Sequence, residues 1–195
     1  MNSTSQNKVL VLGATGATGS LVVRRLLENQ EAVIALVRTP AKLASLTEEF
    51  DHLEVRQGTA LDLPNLPEIL QDCKAVISCL GHNISFKGMY GKPRKLVTDS
   101  LKKLCHHIKD LNPGFAVKVV LMGTTGYRNK VTDPPRSIGE RMVVSLLRLI
   151  LPPHTDNEAA ADYLIKVVGE QCEAIDWAIV RPYTLIDNDS ETDYR

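Results

Sequence analysis

Short apolar runs rich in valine and isoleucine recur along the chain and alternate with longer segments of helical periodicity. Runs that are apolar almost throughout are typical of parallel strands covered by helices on both faces. The runs are KVLVLG (8–13), AVIALVR (32–38), LEVRQG (53–58), AVISCLG (75–81), VKVVLMG (117–123) and WAIVRP (177–182). We therefore predict six strands.

The segments between these runs predict helices at 17–29, 40–46, 64–71, 93–111, 136–151 and 156–171. Thr39 before Pro40 is typical of an N-cap residue followed by a first-turn proline. Thr155 and Glu158 predict a capping box at the start of the last helix. This alternation predicts a doubly wound, Rossmann-type parallel sheet of about six strands in a three-layer α/β/α domain.

Three glycines at spacing three, Gly13, Gly16 and Gly19, follow the first strand and open an amphipathic helix. A dinucleotide-binding loop uses its first glycine for a tight turn, its second for close approach to a pyrophosphate and its third for helix packing. Backbone N–H groups at the helix start, with the hydroxyls of Thr15 and Thr18, would donate to phosphate oxygens. The pattern predicts a nucleotide phosphate site, with a ligand-free glycine turn as the alternative.

The end of the second strand indicates which nucleotide binds. An NAD fingerprint places Asp or Glu there to accept from the ribose 2′-hydroxyl, whereas this chain has Arg38. A guanidinium suits a 2′-phosphate, and Lys42 adds a second positive charge. We expect NADP(H) in preference to NAD(H), with Arg38 as an ordinary solvated residue as the alternative. After the third strand, Asp62 could accept from the adenine amino group or cap the helix predicted from Pro64.

Several motifs together resemble a known family: GATGATG, the VR after the second strand, the CLG strand end, GTTG after the fifth strand and DWAIVRP at the sixth. Over residues 8 to 187 the chain resembles an atypical short-chain dehydrogenase/reductase of the NAD(P)H-binding, NmrA-like kind. That group includes biliverdin/flavin reductase-like proteins and redox-sensing regulators. The resemblance implies pyrophosphate contacts from Gly13, Thr15, Gly16, Ala17, Thr18 and Gly19. It implies contacts of Arg38 with the 2′-phosphate, of Asp62 and Leu63 with adenine, of Cys79, Leu80 and Gly81 with the ribose, and of Met122, Gly123 and Thr124 with the nicotinamide.

The sequence motifs for catalysis are less complete than the motifs for cofactor binding. Active short-chain dehydrogenases carry a Tyr-x-x-x-Lys pair on one helix face and a serine after the fifth strand. Here Tyr163 and Lys166 are three residues apart, and the serine segment reads GTTG (123–126). We expect the standard pair to be absent and Tyr163 to be a packing residue. The remaining catalytic candidates, in a reaction that draws its proton from solvent, are Thr124, Thr125 and Tyr127.

Two histidines are further protonatable candidates. His82 follows the fourth strand beside the predicted cleft, and His154 precedes the last predicted helix. Each could be a structural hydrogen-bonding group or an acid, and the sequence leaves both roles open. No nucleophile elbow, Walker lysine or metal-ligand constellation occurs in the sequence, so those enzyme classes and a metal site are set aside.

Composition argues against several partners. The 23 Lys and Arg residues balance 23 Asp and Glu residues, so no basic excess indicates binding to nucleic acid or an anionic membrane. The longest apolar stretch, 142–151, is shorter than the roughly 20 residues that span a bilayer. Four cysteines without a disulfide or zinc pattern, and no signal peptide, lead us to expect a cytoplasmic protein. The apolar helix at 138–151 supports either a homodimer or burial within the monomer.

We expect a flexible N-terminus at 1–7, one NAD(P)-binding Rossmann domain at 8–187 and a polar tail at 188–195. Members of the family usually continue after the sixth strand into a segment that helps to form the substrate pocket, so the tail would begin a truncated substrate segment. The function that we expect is an NADP(H)-binding oxidoreductase passing hydride to a small planar or carbonyl acceptor, whose identity the sequence leaves open. A non-catalytic NADP(H)-sensing regulator or interaction protein is the alternative.

Overall fold

The computed structural model describes residues 7–62, 65–82, 91–124, 127–128 and 133–182, without the side chains of 147 and 149. Six strands form a parallel sheet in the order β3-β2-β1-β4-β5-β6. They are β1 (Lys8–Leu12), β2 (Ala32–Val37), β3 (Leu53–Gln57), β4 (Cys73–Ser78), β5 (Val117–Met122) and β6 (Ile175–Val180). The predicted doubly wound, Rossmann-type sheet is confirmed. The predicted tail at 188–195 lies outside the described residues.

Six α-helices are described: α1 (Ala17–Glu28), α2 (Ala44–Glu49), α3 (Leu66–Gln71), α4 (Leu96–Leu111), α5 (Ile138–Ile150) and α6 (Pro152–Tyr163). A 3₁₀ turn at Pro40–Leu43 leads into α2, and a π-helical turn at Leu164–Val168 follows α6. Pro40 occupies the first helical position after Thr39, as predicted, although the Thr39 side chain makes no capping hydrogen bond.

The capping box predicted from Thr155 is wrong, because α6 begins at Pro152 with Leu151 as its N-cap residue. A proline is well tolerated there, since the first N–H groups of a helix have no intrahelical acceptor. Thr155 therefore lies inside α6, where its hydroxyl donates to the Arg148 carbonyl oxygen at 3.3 Å. The Glu158 carboxylate accepts from the Arg148 guanidinium at 2.7 and 3.0 Å, which joins α6 to α5.

Apolar side chains cover both faces of the sheet. Successive residues of a strand point to opposite faces, so Val9 and Val11 join one buried cluster while Leu10 and Leu12 join the other. The first cluster includes α1, and the second includes α4 and α6. Burial on both sides explains why β1 is apolar almost throughout. It also holds rigidly the strand end from which the glycine loop emerges.

The sheet reverses its order between β1 and β4. From β1 the chain builds outward through β2 to β3, and it then returns to place β4 on the other side of β1. Leu10 of β1 is accordingly in register with Ile34 of β2 on one side and Val76 of β4 on the other. The loops after these strands diverge and leave a crevice at the carboxyl edge, where doubly wound sheets bind their ligands.

Helix α5 has an exposed apolar face. Its exposed side chains are Ile138 (78%), Met142 (69%), Val143 (58%), Leu146 (56%) and Ile150 (48%). Burial within the described part of the monomer therefore does not explain the apolar pattern of this helix. Among the helices of the described ranges, none has the length and apolar character to cross a bilayer.

Candidate cofactor-binding site

A cavity of about 620 Å³ opens at the carboxyl ends of β1 to β4. This volume is within the range of roughly 300–1,000 Å³ typical of small-molecule and cofactor sites. Its walls come from the glycine loop, the ends of β2, β3 and β4, and the segment before α4. The lining residues are Gly13, Thr15–Thr18, Leu36–Arg38, Lys42, Gly58–Leu61, Cys79–His82, Lys92, Pro93 and Leu96.

Close backbone contacts shape the glycine loop. Gly13 has a φ of +75°, and a Cβ on it would lie 2.6 Å from the Cys79 carbonyl oxygen. A Cβ on Gly19 would lie 2.1 Å from the Gly13 carbonyl oxygen, so the first turn of α1 rests directly on the loop. Only glycine satisfies both positions. The tight turn predicted for Gly13 and the close packing predicted for Gly19 agree with this geometry.

The N-terminus of α1 faces the cavity. Gly16 is its N-cap residue, with no side-chain capping bond and no acidic residue in the first turn. Thr15, Gly16, Ala17 and Thr18 line the wall. The first N–H groups of a helix have no intrahelical acceptors, and the helix dipole adds partial positive charge. This wall can therefore bind an anion.

Positive side chains line the cavity at two places. Arg38 and Lys42 follow β2, Lys92 precedes α4, and no Asp or Glu is among the described lining residues. The end of β2 is tied to the end of β3, because the Gly58 N–H donates to the Val37 carbonyl oxygen at 2.9 Å. The charge of the cavity wall favours a polyanionic ligand.

Asp62 is exposed beside the cavity but does not line it. Its N–H donates to the Thr59 carbonyl oxygen at 3.1 Å and to the Thr59 hydroxyl at 3.0 Å. Helix α3 begins at Leu66 with Asn65 as its N-cap residue. Of the two roles considered for Asp62, capping of that helix is therefore wrong. Leu63 lies outside the described residues.

The residues after β4 form the other end of the cavity. Cys79, Leu80 and Gly81 line it together with His82. Burial raises the pKa of the Cys79 thiol to about 11, so the sulfur is a neutral group at physiological pH. This segment can present backbone and a weakly polar thiol to a ligand.

The predicted nicotinamide residues lie at the same edge of the sheet but outside this cavity. Met122 ends β5, and the Gly123 N–H donates to the Val180 carbonyl oxygen of β6 at 2.8 Å. The Thr124 hydroxyl oxygen is buried and has no hydrogen-bond partner among the described residues. A buried donor without a partner is costly and points to a ligand or water that satisfies it. Thr125 lies outside the described residues.

Tyr127 belongs to a second cavity, of about 380 Å³, beside the ends of β5 and β6. Its hydroxyl donates to Asp162 at 3.3 Å, and Lys166 pairs with the same carboxylate at 2.6 Å. Burial, together with the negative charge of Asp162, raises the pKa of Tyr127 to about 12. Tyr127 is thus a neutral donor to Asp162.

Tyr163 packs against the apolar core with the Lys102 ammonium 5.8 Å from its ring centre, as expected for a packing residue.

The sequence reasoning missed Asp156. This buried carboxylate of α6 accepts from the backbone N–H groups of Val97 and Thr98 at 2.8 and 3.0 Å. It also contacts His82 Nε2 at 2.9 Å. One signal could have indicated such a residue: the N-cap position of α4 is Lys95, which supplies no capping bond, so the cap has to come from elsewhere.

Neither His154 nor a metal centre is part of the cofactor cavity as the structure describes it. Both ring nitrogens of His154 are buried without a hydrogen-bond partner among the described residues, and His154 is not among the residues that line the cofactor cavity. Within the described ranges, no group of three His, Cys, Asp or Glu residues is arranged to hold a metal ion.

A family described as NAD(P)H-binding matches residues 13–195. The chain belongs to this NAD(P)H-binding family. It is therefore an NAD(P)-binding Rossmann-fold protein of an oxidoreductase family, as the motifs implied. A comparison with curated proteins returned no match.

Solved structures share the fold at low sequence identity. ChuY, an anaerobillin reductase from Escherichia coli O157:H7, is 17% identical with a TM-score of 0.59, over 90% of this chain and 72% of ChuY. A protein from Lactobacillus casei is 20% identical with a TM-score of 0.63, over 90% of this chain and 73% of that one. Gre2 from Candida albicans, solved with NADPH, is 18% identical with a TM-score of 0.65, over 90% of this chain but 57% of Gre2.

The cavity of this NAD(P)H-binding protein fits the dinucleotide. The glycine loop leaves no room for a Cβ at Gly13 or Gly19. The exposed start of α1 can hold the pyrophosphate through backbone N–H groups. Since the cavity spans the point where the strand order reverses, its two ends lie on the two halves of the sheet that bind the two nucleosides.

Proposed function

We propose that the protein is an NADP(H)-dependent oxidoreductase that passes hydride to a small planar or carbonyl acceptor. The observation that carries the proposal is the cavity at the carboxyl edge, which combines the glycine loop with Arg38 and Lys42 and has no described carboxylate in its lining.

The preference for NADP(H) rests on charge. A site for NAD(H) uses a carboxylate after β2 to accept from the ribose 2′-hydroxyl, and the same carboxylate would repel a 2′-phosphate. Arg38 stands at that place, and Lys42 lies four residues further on, in the 3₁₀ turn Pro40–Leu43, in the same wall. A guanidinium can donate two parallel hydrogen bonds to a phosphate, so the pair favours the 2′-phosphorylated cofactor.

The proposed chemistry needs one polar group near the acceptor. The bound cofactor supplies hydride from its nicotinamide, and the protein supplies orientation and polarisation. The Thr124 hydroxyl is buried without a described partner at the end of β5, so it is available to donate to an acceptor oxygen or nitrogen. Thr125 is a second candidate for this role, and the hydroxyl of Tyr127 already donates to Asp162. Solvent supplies the proton.

The second candidate function is a non-catalytic sensor of NADP(H) redox state. It is favoured by the Tyr127–Asp162–Lys166 arrangement, in which the lysine pairs with a carboxylate instead of activating a tyrosine. A sensor must bind the oxidised and reduced cofactors with different affinities, because a ligand shifts an equilibrium only through differential affinity.

Titration and turnover together test the proposal. We expect NADPH to bind more tightly than NADH, measured by cofactor fluorescence, and NADPH oxidation above background with at least one flavin, quinone or carbonyl compound. Equal affinities would contradict the NADP(H) preference. Binding without oxidation across the panel, with different affinities for NADP⁺ and NADPH, would favour the sensor.

A substitution separates catalysis from binding. Thr124→Val should lower turnover about 100-fold, as loss of a preorganised donor does, with little change in NADPH affinity. Thr47→Val is the matched control, because the exposed Thr47 hydroxyl donates only to its own helix, at the Ala44 carbonyl oxygen. Equal turnover of the two variants would exclude Thr124 from the reaction.

A further inference from the structure

The turn after β3 forms one wall of the cofactor cavity, which Thr59, Ala60 and Leu61 line. The Asp62 N–H donates to the Thr59 carbonyl oxygen at 3.1 Å and to the Thr59 hydroxyl at 3.0 Å, so residues 59–62 close into a tight turn. In a doubly wound sheet the half that contains β1 to β3 binds the adenosine of a dinucleotide. This turn therefore lies at the adenosine end of the cavity.

Lys103 of α4 joins this turn to a helix. Its ammonium donates to the Leu61 carbonyl oxygen at 2.9 Å, and the two residues are 42 positions apart in the sequence. The lysine is half-buried, and among the described residues no carboxylate pairs with its ammonium. Of the hydrogen bonds that the structure describes for residues 59–62, this is the one that reaches a helix. The lysine is therefore held by an uncharged carbonyl group of the turn.

Helix α4 is a firm support for this bond. Leu101, Leu104 and Cys105, which flank Lys103 in the sequence, are buried in the core. Leu96, the first residue of α4, lines the cavity itself. Leu96 and Lys103 are seven residues apart, which is about two helical turns, so they lie on one side of the helix. The side of α4 that borders the cavity is therefore the side that carries the lysine.

The packing of α4 does not account for a positive charge at this position. The carbon chain of a lysine can pack as an apolar side chain does, and holding its ammonium in one place costs side-chain freedom. In return, a charged donor makes a stronger hydrogen bond to a carbonyl oxygen than a neutral donor does. A turn that is already fixed loses less freedom when a ligand binds to it, which raises the affinity. The bond is therefore best explained by the ligand that the turn contacts.

We propose that Lys103 is a positioning residue for the adenosine half of the cofactor: by holding the Leu61 carbonyl group, it fixes the turn after β3 before the cofactor binds. This inference rests on the cofactor binding of the proposed function. Lys103 is not among the described residues that line the cavity, so it acts through the turn and not by contact with the ligand.

Two substitutions separate the ammonium from the carbon chain that carries it. Lys103→Met keeps an apolar side chain and removes the donor, whereas Lys103→Arg keeps a positively charged donor. We expect the Kd for NADP⁺, measured by calorimetry, to rise about three- to tenfold in Lys103→Met, the usual effect of one lost hydrogen bond. In Lys103→Arg it should stay within about twofold of the wild-type value. The opposite order of the two variants would mean that the carbon chain acts by packing, and it would overturn the inference.

Two further measurements on Lys103→Met locate the effect. The Kd for adenosine 2′,5′-bisphosphate should rise by the same factor as the Kd for NADP⁺, because the turn lies at the adenosine end. An unchanged Kd for this probe would overturn the inference. In the unliganded protein, the Asp62 amide should exchange with solvent faster than in wild type, while the amides of β1 keep their wild-type rates. Unchanged exchange at Asp62, or faster exchange in β1 as well, would indicate a merely structural role and would also overturn it.

Lys102→Met is the matched control. It removes the same charge from the neighbouring position of α4, where the exposed Lys102 has its ammonium 5.8 Å from the Tyr163 ring centre. Both Kd values should stay unchanged, and an equal loss of affinity in the two variants would overturn the inference, since net charge would then explain it. If wild-type protein binds neither probe, the proposed function fails and the inference with it. If wild-type protein binds both and Lys103→Met binds them equally well, the inference alone fails.

Discussion

Gly19 lies against Gly13 so closely that a Cβ on Gly19 would be 2.1 Å from the Gly13 carbonyl oxygen. The clash is with backbone, which cannot rotate away as a side chain can. We expect Gly19→Ala to lower the free energy of unfolding by about 1–3 kcal/mol or more, and to weaken NADPH binding by displacing the start of α1. Urea unfolding and a fluorescence titration measure the two effects.

The control is a helical glycine with space around it. A Cβ on Gly139 of α5 would meet no heavy atom within 4 Å. Gly139→Ala should therefore stabilise the protein by about 0.5–1 kcal/mol, since alanine is the better helix former. If Gly19→Ala and Gly139→Ala changed the free energy of unfolding by similar amounts, the contact between Gly19 and Gly13 would not be rigid.

Arg38→Asp should exchange the cofactor preference. The carboxylate would repel a 2′-phosphate and accept from a 2′-hydroxyl, so NADPH affinity should fall about 10- to 100-fold while NADH affinity stays equal or improves. The same charge change in Arg25→Asp, on α1 and outside the described cavity lining, should leave the ratio of the two affinities unchanged. An unaltered preference in Arg38→Asp would remove Arg38 from the 2′-phosphate site.

Asp156→Ala should destabilise the fold by about 1–3 kcal/mol, because it leaves the buried N–H groups of Val97 and Thr98 without an acceptor. Asp176→Ala is the control: the Asp176 side chain is 58% exposed and pairs with Lys118 at the surface. Its loss should change the free energy of unfolding by less than about 0.5 kcal/mol. Urea unfolding of both variants measures the difference.

Tyr127→Phe should cost about 0.5–1.5 kcal/mol at neutral pH, where the hydroxyl donates to Asp162. Burial and Asp162 raise the pKa of Tyr127 to about 12, so the folded protein keeps this proton when the unfolded chain loses it near pH 10. The stabilisation is therefore complete below about pH 10 and declines as the pH rises toward 12. The difference in unfolding free energy between wild type and variant, measured from pH 8 to 11, should be constant at first and then fall. A constant difference throughout would contradict the raised pKa.

Because α5 has an exposed apolar face, we expect a homodimer, and sedimentation velocity can detect it. If this face pairs two copies, the wild-type protein should sediment as a dimer and Leu146→Glu as a monomer, since Leu146 is 56% exposed within that face. Thr47→Glu adds the same charge at an exposed position of α2, away from that face, and should keep the dimer. A monomeric wild type at micromolar concentration would exclude this dimer.

The strands and the glycine loop were predictable because their determinants are local. An apolar run between turn residues identifies a buried strand, and β1 to β6 all lie within two or three residues of their predicted bounds. Gly13 and Gly19 follow directly from the strand-turn-helix context. The helix ends were less predictable: Thr155 and Glu158 satisfy the capping pattern, but Pro152 starts the helix earlier.

The pairing of His82 with Asp156 was not predictable because the two residues are 74 positions apart. Asp156 stands at the start of the predicted helix 156–171, and only the packing of α6 against α4 buries it. The exposure of α5 also depends on tertiary structure, since an amphipathic pattern shows that a face is apolar without showing what covers it.

Asp156 caps α4 from α6, and it lies 59 residues after Val97 in the sequence. The first turn of α4 acquires acceptors for the Val97 and Thr98 amides only when α6 has docked. These two amide protons should therefore exchange with solvent in step with α6, and not with the rest of their own helix. The amino end of α4, which borders the cofactor cavity at Leu96, is therefore capped only when α6 is in place.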